Sequence, residues 1–512
     1  MILRGGTVVD GSGGPARVAD IEIANGVVVA VGDLSESRDR DVREVSGLVV
    51  SPGFVDIHSH SDFSVLGHPH ATSAVLQGIT TLVVGNCGLA VTPVDDADTA
   101  ARLRPYMTYC DDRSVDWDWT SVAEYRERLR HASPAVEVGV LAGHNTLRGS
   151  VVGLEDRPAT GEELERMCAM LDAALADGAL GMSLGLMYPP SAYADEDELV
   201  ALGRVLRAHD AVLASHMANY SAGLHDSVAS MIRVGERSGV RVQISHLTVT
   251  GREHWGAVSG ALSMIDDAVA RGVDVAADFY PYLAGSTNLS QTLPGWAVSG
   301  GWDALRKRMG DEAQRRRMRE HLISTVWEDF LLVSTGLFPE LDGLRMTEAA
   351  ARVDREPADL ALDLLAVCDP TIVAFGRSEL DLLAVMRHPL TVLGSDGLAV
   401  DTFGVVGGPV PHPRFFGAFP ALFQKYVREN PVLTLEEAVR KCTSAPAERV
   451  RLRDRGLLRP GLRGDVVVFD PLTIADRSTY EDSRRVPDGI VTVIRGGVEV
   501  ARGGSVVAGA RP

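Results

Sequence analysis

The stretch GFVDIHSHSD, Gly53 to Asp62, sets the reading of the whole chain. An apolar run ends in two histidines spaced by two, and alternate residues of an extended chain point to one side. His58 and His60 therefore share a face at a strand end. A lone histidine in such a place is most often a hydrogen-bonded structural residue, so the pair gains meaning only if other strands end in the same way.

Similar apolar runs recur downstream, each followed by a segment of helical period: TTLVVGNC, AVEVGVLAGH, GALGMSLGL, AVLASHM, VRVQISH, VDVAADFY and LTVLGSD. Strands alternating with helices such as GEELERMCAMLDAALADG mark βα units and a parallel sheet. Eight of them predict an α/β fold, a (β/α)8 TIM-like barrel; a doubly wound sheet is the alternative, but needs no such count. The spacing breaks once, before LTVLGSD, and long connections in compact domains are usually functional. An insert at about 284–350, between strands seven and eight, carries helical segments and tryptophans that suit a lid over the barrel mouth.

Both ends of the chain read as short strands separated by Gly, Pro, Asp and Asn-Gly turn signals. Residues 1–50 and 450–512 are expected to form one small β-sandwich domain beside a barrel spanning 51–449. With 512 residues, 45% apolar and 23% charged, the chain is long enough for more than one folding unit. A formal charge of −19 argues against nucleic acid or an anionic membrane as partner and leaves a small-molecule substrate as the default. The first segment lacks the basic start and apolar stretch of a secretion signal, so a cytoplasmic location is expected. Five cysteines, odd in number and never paired as CxxC, do not make a disulfide framework.

The chemistry gathers at the strand ends, where barrel enzymes assemble their sites. Strands five and six end in SHM and SHL, giving His216 and His246, and strand eight ends in GSDG, giving Asp396. Four histidines and an aspartate at equivalent positions suit zinc or a related divalent metal. Asp396 fits a general base acting on water that a metal has acidified. Cys87, between Gly85-Asn86 and Gly88 in VVGNCGLAV, is open to two readings, a buried apolar residue or a thiolate ligand.

The GFVDIHSHSD start, the strand-five and strand-six histidines, the late GSDG and the split β domain resemble the amidohydrolase superfamily. More narrowly, QGITTLVVGNCGLAVTP, GHNTLRGSVVG, GALGMSLGLMYPPSAYAD, DFYPYLAGST and PHPRFFGAF resemble the N-acyl-D-amino-acid deacylases, or D-aminoacylases, over about residues 1–475. The resemblance implies hydrolysis of the amide of an N-acyl-D-amino acid. It implies that Cys87, His216 and His246 hold a tightly bound zinc, and that His58 and His60 with Asp396 form a second, weaker position. Many superfamily members bridge two metals with a carboxylated lysine on strand four; GALGMSLGL has none, which leaves the Cys87 thiolate for that role. His144, ending strand three, is expected at the mouth, either to orient substrate or polarise its carbonyl, or as a structural hydrogen-bonding residue. Tyr188, Tyr282 and Arg414 match family positions near the substrate.

Two departures stand out. Thr248 occupies the position where family members usually carry a carboxylate-binding lysine. HMANYSAG puts Ala218 and Tyr220 where an arginine and an acidic residue usually follow the strand-five histidine. Losing a charge-assisted contact typically removes about 1.5–3 kcal/mol. The departures therefore favour, as a second reading, a cyclic amide or metabolite without a free α-carboxylate. A metal-binding homologue without catalysis would lack a ligand or the base, and here all are present.

Overall fold

A computed structural model of the protein describes residues 1–37, 41–107, 110–404 and 406–507. Its centre is an eight-stranded parallel sheet in sequential order. The strands are β1 (Phe54–Asp56), β2 (Ile79–Val84), β3 (Glu137–Gly143), β4 (Gly181–Gly185), β5 (Val212–His216), β6 (Arg241–Ile244), β7 (Val275–Phe279) and β8 (Thr391–Leu393). The sheet closes just beyond the ends of β1 and β8. There Ser59 bridges Gly397, Asp396 N donates to His58 O (2.7 Å) and His60 N to Gly397 O (2.8 Å). The closing seam thus runs through the candidate site itself.

The outer helices form where apolar residues recur at helical spacing between clear caps. In Gly161–Ala176, Met167, Leu171, Ala174 and Leu175 make the buried stripe, and Thr160 with Glu163 forms a reciprocal capping box. Leu224–Ser238 stops at Gly239, whose φ of 73° is a left-handed cap that glycine adopts without strain. No helix among the described residues is long and apolar enough to cross a membrane.

The two ends of the chain meet in one nine-stranded sheet, in which Val49–Pro52 pairs antiparallel with Val466–Phe469. The sheet curls on itself: Val27 bridges Arg463, and Gly464 N donates to Gly26 O (2.8 Å). Leu3, Ile21, Val50, Val466 and Ile494 fill the space between its arms. Val49–Pro52 runs past residue 50, and Gly53 alone separates it from β1. A Cβ at Gly53 would sit 2.2 Å from Thr80 Oγ1, so this junction needs glycine. Phe54 continues the contact, stacking on Phe419 and Phe423 with centroids at 5.5 Å. Residues 38–40 and 508–512 of the expected small domain lie outside the described residues.

Between β7 and β8 the chain builds a three-stranded antiparallel sheet, Gly285–Asn288, Phe330–Ser334 and Thr371–Ala374. This insert is longer than the expected 284–350, because its central strand comes last in sequence and pairs with both others. The helix Pro357–Leu365 buries Leu360 and Leu364 in the insert's own core, and Asp359 pairs with Arg319 at 2.7 Å.

At the foot of β8, the wholly buried Lys441 donates from Nζ to the carbonyls of His388 and Thr391, both at 2.7 Å. Burial pushes its amine down from 10.5 to about 8, partly offset by Glu437. Between those values the unfolded chain binds the proton and the folded chain does not, so this group adds stability as pH rises through that window. The melting temperature of the natural protein, measured against Lys441→Met, should gain with pH between 8 and 10. Parallel curves for the two proteins would contradict the assignment.

Candidate metal centre

Cys87, His216, His246 and Asp396 arrive at the barrel mouth at or just beyond the ends of four strands, and His58 and His60 follow β1. Three of them take a left-handed backbone that non-glycine residues rarely adopt: Cys87 (φ 54°), His246 (φ 36°) and Asp396 (φ 52°). Each such residue costs about 1–3 kcal/mol, and the surroundings must hold it there.

The turn around Cys87 shows how. Asn86 Nδ2 donates to the carbonyls of Val83 (3.0 Å), Ser59 (3.3 Å) and Ile57 (3.4 Å), stitching β2 to the end of β1. Ser183 on β4 accepts from Gly88 N at 2.8 Å and donates to Gly85 O, so it grips the turn on both sides of the cysteine. A Cβ at Gly85 would lie 2.3 Å from Leu141 O, which together with its φ of 83° requires glycine. The strand that lacks a lysine thus contributes a serine clamp.

The donor atoms converge. Cys87 Sγ lies 3.3 Å from His58 Nε2 and 3.5 Å from His246 Nε2. Asp396 Oδ1 lies 3.1 Å from His60 Nε2 and 3.5 Å from His58 Nε2. Three sets, His58–His60–Cys87, Cys87–His216–His246 and His58–His246–Asp396, each have ligand atoms within 4.8 Å of one another. A sulfur at 2.3 Å and a nitrogen at 2.0–2.1 Å from a tetrahedral zinc stand about 3.5 Å apart, so the sulfur–nitrogen spacing suits that ion. His216 Nδ1 is buried with no hydrogen-bond partner among the described residues, while its Nε2 lies 3.2 Å from Met187 Sδ.

Electrostatics favours charged ligands. Burial would raise the Cys87 thiol, but the imidazoles of His58 and His246 draw it well below its ordinary value. Burial would likewise raise Asp396, and the Arg414 guanidinium, with His60, outweighs it and holds the carboxyl well below the usual range. Arg414 is wholly buried, with Nη1 2.9 Å from Asp396 Oδ2 and its guanidinium 4.6 Å from the Tyr280 ring.

A model of the amidohydrolase family matches residues 41–501. The chain belongs to the amidohydrolase family. It is 34% identical to the D-aminoacylase of Alcaligenes xylosoxydans xylosoxydans over 500 residues, 98% of this chain and 94% of that one. It is equally identical, over 501 residues, to the N-acyl-D-glutamate deacylase of the same organism, covering 98% and 93%. The solved N-acyl-D-glutamate deacylase of Bordetella bronchiseptica, complexed with zinc and a phosphonate mimic of the tetrahedral intermediate, superposes with a TM-score of 0.85 at 31% identity, covering 100% of this chain and 98% of that one.

In this amidohydrolase the expected site residues separate into two groups. The cleft above the cluster is lined by His60, Cys87, Tyr188, His216, His246 and Asp396. Tyr188 packs against His216 with ring centroids 4.8 Å apart and the planes tilted by 54°, and its hydroxyl lies 3.5 Å from Thr287 Oγ1. The other five expected residues do not line it: His58 lies within the donor cluster, and His144, Tyr282, Arg414 and Thr248 are absent from its lining. His144 opens the helix His144–Val151 and turns inward, with Nδ1 2.5 Å from Ser191 Oγ and Nε2 2.9 Å from Glu198, which also pairs with Arg148. The Tyr282 hydroxyl donates to Asp476 at 2.8 Å. Arg414 serves Asp396. Thr248 lines a small recess behind His246, together with Tyr282 and Arg377. Tyr220 is a packing partner of two candidate ligands, 5.1 Å from His216 and 5.2 Å from His246 between ring centroids, and Ala218 is exposed.

Sequence reasoning missed Asp278, in the apolar run of β7. Its Oδ1 lies 3.1 Å from His58 Nδ1 and accepts from His246 N at 2.7 Å, and its Oδ2 accepts from Gln243 Nε2 at 3.1 Å. One carboxylate thereby fixes the ring of one candidate ligand and the strained backbone of another. The available signal was a lone carboxylate inside an otherwise apolar strand. Because such supports typically contribute 10–100-fold to metal affinity, Asp278→Asn should weaken zinc binding by about that factor in a chelator competition. Unchanged affinity would remove Asp278 from this role.

Proposed function

We propose that this amidohydrolase is a zinc-dependent deacylase that cleaves the amide of N-acyl-D-amino acids, giving a carboxylate and a D-amino acid. The observation that carries the reading is the convergence of Cys87, His216 and His246 in one cleft with an ionised, arginine-held Asp396. Whole-chain similarity to D-aminoacylase supports it.

Cys87, His216 and His246 would hold the tightly bound zinc, and His58, His60 and Asp396, with the shared thiolate, a second and weaker one. Zinc in such a site polarises the scissile carbonyl and lowers the pKa of water. Arg414 pins Asp396 Oδ2, leaving Oδ1 toward the histidines as the proton acceptor for the attacking water. Asp396 then returns that proton to the departing amine nitrogen, which without it is a poor leaving group. Tyr188, fixed against His216, narrows the entry and orients the amide.

The recess behind His246 bears on the second reading. Thr248 brings no charge there, but Arg377 does, its Nη1 2.6 Å from the Tyr280 hydroxyl. A guanidinium suits a carboxylate, and its presence favours a substrate with a free α-carboxylate over a cyclic amide. His144, sealed against Ser191 and Glu198, is assigned a structural role.

With N-acetyl-D-methionine, Asp396→Asn should lower kcat by about 10²–10⁴ while the tightly bound zinc is retained. A zinc-loaded natural protein that hydrolyses no member of a broad N-acyl-D-amino-acid panel would overturn the reading.

A further inference from the structure

The cleft continues from the cluster into a chamber walled by the insert, enclosing roughly 990 Å³ of space with the solvent at its mouth. Leu89, Pro105, Val298, Trp302 and Leu305 give this chamber an apolar lining. Among the described residues that line the cleft there is no lysine or arginine, but there is Asp369. Asp369 precedes the last insert strand, Thr371–Ala374. Its Oδ1 accepts from Ser290 N at 2.8 Å and its Oδ2 from Ser290 Oγ at 2.6 Å.

The Asn288 side chain also hydrogen-bonds this carboxylate; all its donors are neutral, and among the described residues Asp369 makes no ion pair. Burial raises its carboxyl to about 6, with the Ser290 bonds working against that, which still leaves it mostly ionised at neutral pH. Asp369 is half-buried; a carboxylate partly withdrawn from water without a countercharge is destabilised, and a cation entering the chamber would offset that cost. An anionic group there would face a like charge. Overall similarity does not choose between such groups, because D-aminoacylase and N-acyl-D-glutamate deacylase match this chain at the same 34%.

We propose that the preferred substrate carries a cationic group, a primary ammonium or a guanidinium, on an alkyl stem, with the stem along the Leu89–Val298–Trp302–Leu305 wall and the charge at Asp369. The proposal rests on the deacylase reading and names its substrate class. The same chemistry could sit on the amino-acid side chain or on the acyl group.

Two matched pairs separate these sources on the zinc-loaded enzyme. Nα-acetyl-D-lysine against N-acetyl-D-norleucine places the charge on the side chain; 6-aminohexanoyl-D-alanine against hexanoyl-D-alanine places it on the acyl group. In one pair the cationic member should lead in kcat/KM by about tenfold or more, the size of one charge-assisted bond. Asp369→Asn, which keeps hydrogen-bonding groups facing Ser290, should bring that ratio to within about twofold of one. Calorimetric binding of the same pairs to the zinc-loaded Asp396→Asn protein reads the preference without turnover. If nothing is hydrolysed, the deacylase reading fails, and calorimetry still decides the charge preference. Equal or better kcat/KM and binding for the neutral member of both pairs, or a preference that survives Asp369→Asn, would overturn the proposal.

Discussion

Packing a thiol, four imidazoles and a carboxylate at one buried point carries a desolvation cost that only mutual compensation or a bound cation can offset. The barrel mouth is organised around that constraint. Cys87 is drawn toward the thiolate by the imidazoles around it, and Asp396 is kept ionised by Arg414. The arrangement suits a metal that accepts sulfur, nitrogen and oxygen donors together.

Two of the supports for this cluster come from strands that supply no ligand. Ser183 of β4 holds the Cys87 turn, and Asp278 of β7 holds His58 and the His246 backbone. Arg414, from beyond β8, lies beneath Asp396 and against Tyr280. Left-handed backbone at three candidate ligands is tolerable because these bonds fix it. The insert adds the other half of the site, walling the chamber that faces the donors while keeping a hydrophobic core of its own. The donor cluster therefore sits on the barrel, and part of the chamber wall sits on a separately packed element.

Much of this was legible in the sequence for a physical reason. Strand ends repeat the same pattern, apolar run then donor, so His58, His60, His216, His246 and Asp396 announce themselves by position, and the split sheet shows in the strand-like termini. Supports are harder to read, because their meaning lies in tertiary contact. Asp278 looks like an incidental acid in VDVAADFY, Ser183 like a strand filler, and Asp369 like a turn residue. His144 misleads because the chain turns into a helix at that very residue, which carries the ring inward to Glu198, an acid masked among the helix-starting carboxylates of ADEDEL. The end of the insert was misplaced because its central strand is its last, a topology that no local pattern reveals.

On the proposed reading, the Cys87 thiolate takes the place of the strand-four lysine that bridges the metals in many amidohydrolases. X-ray absorption at the zinc edge of the zinc-loaded protein tests it most directly. The expected first shell holds a sulfur scatterer at about 2.3 Å alongside nitrogen or oxygen at about 2.0–2.1 Å, with the sulfur component lost in Cys87→Ser. A first shell of nitrogen and oxygen alone in the natural protein would contradict it.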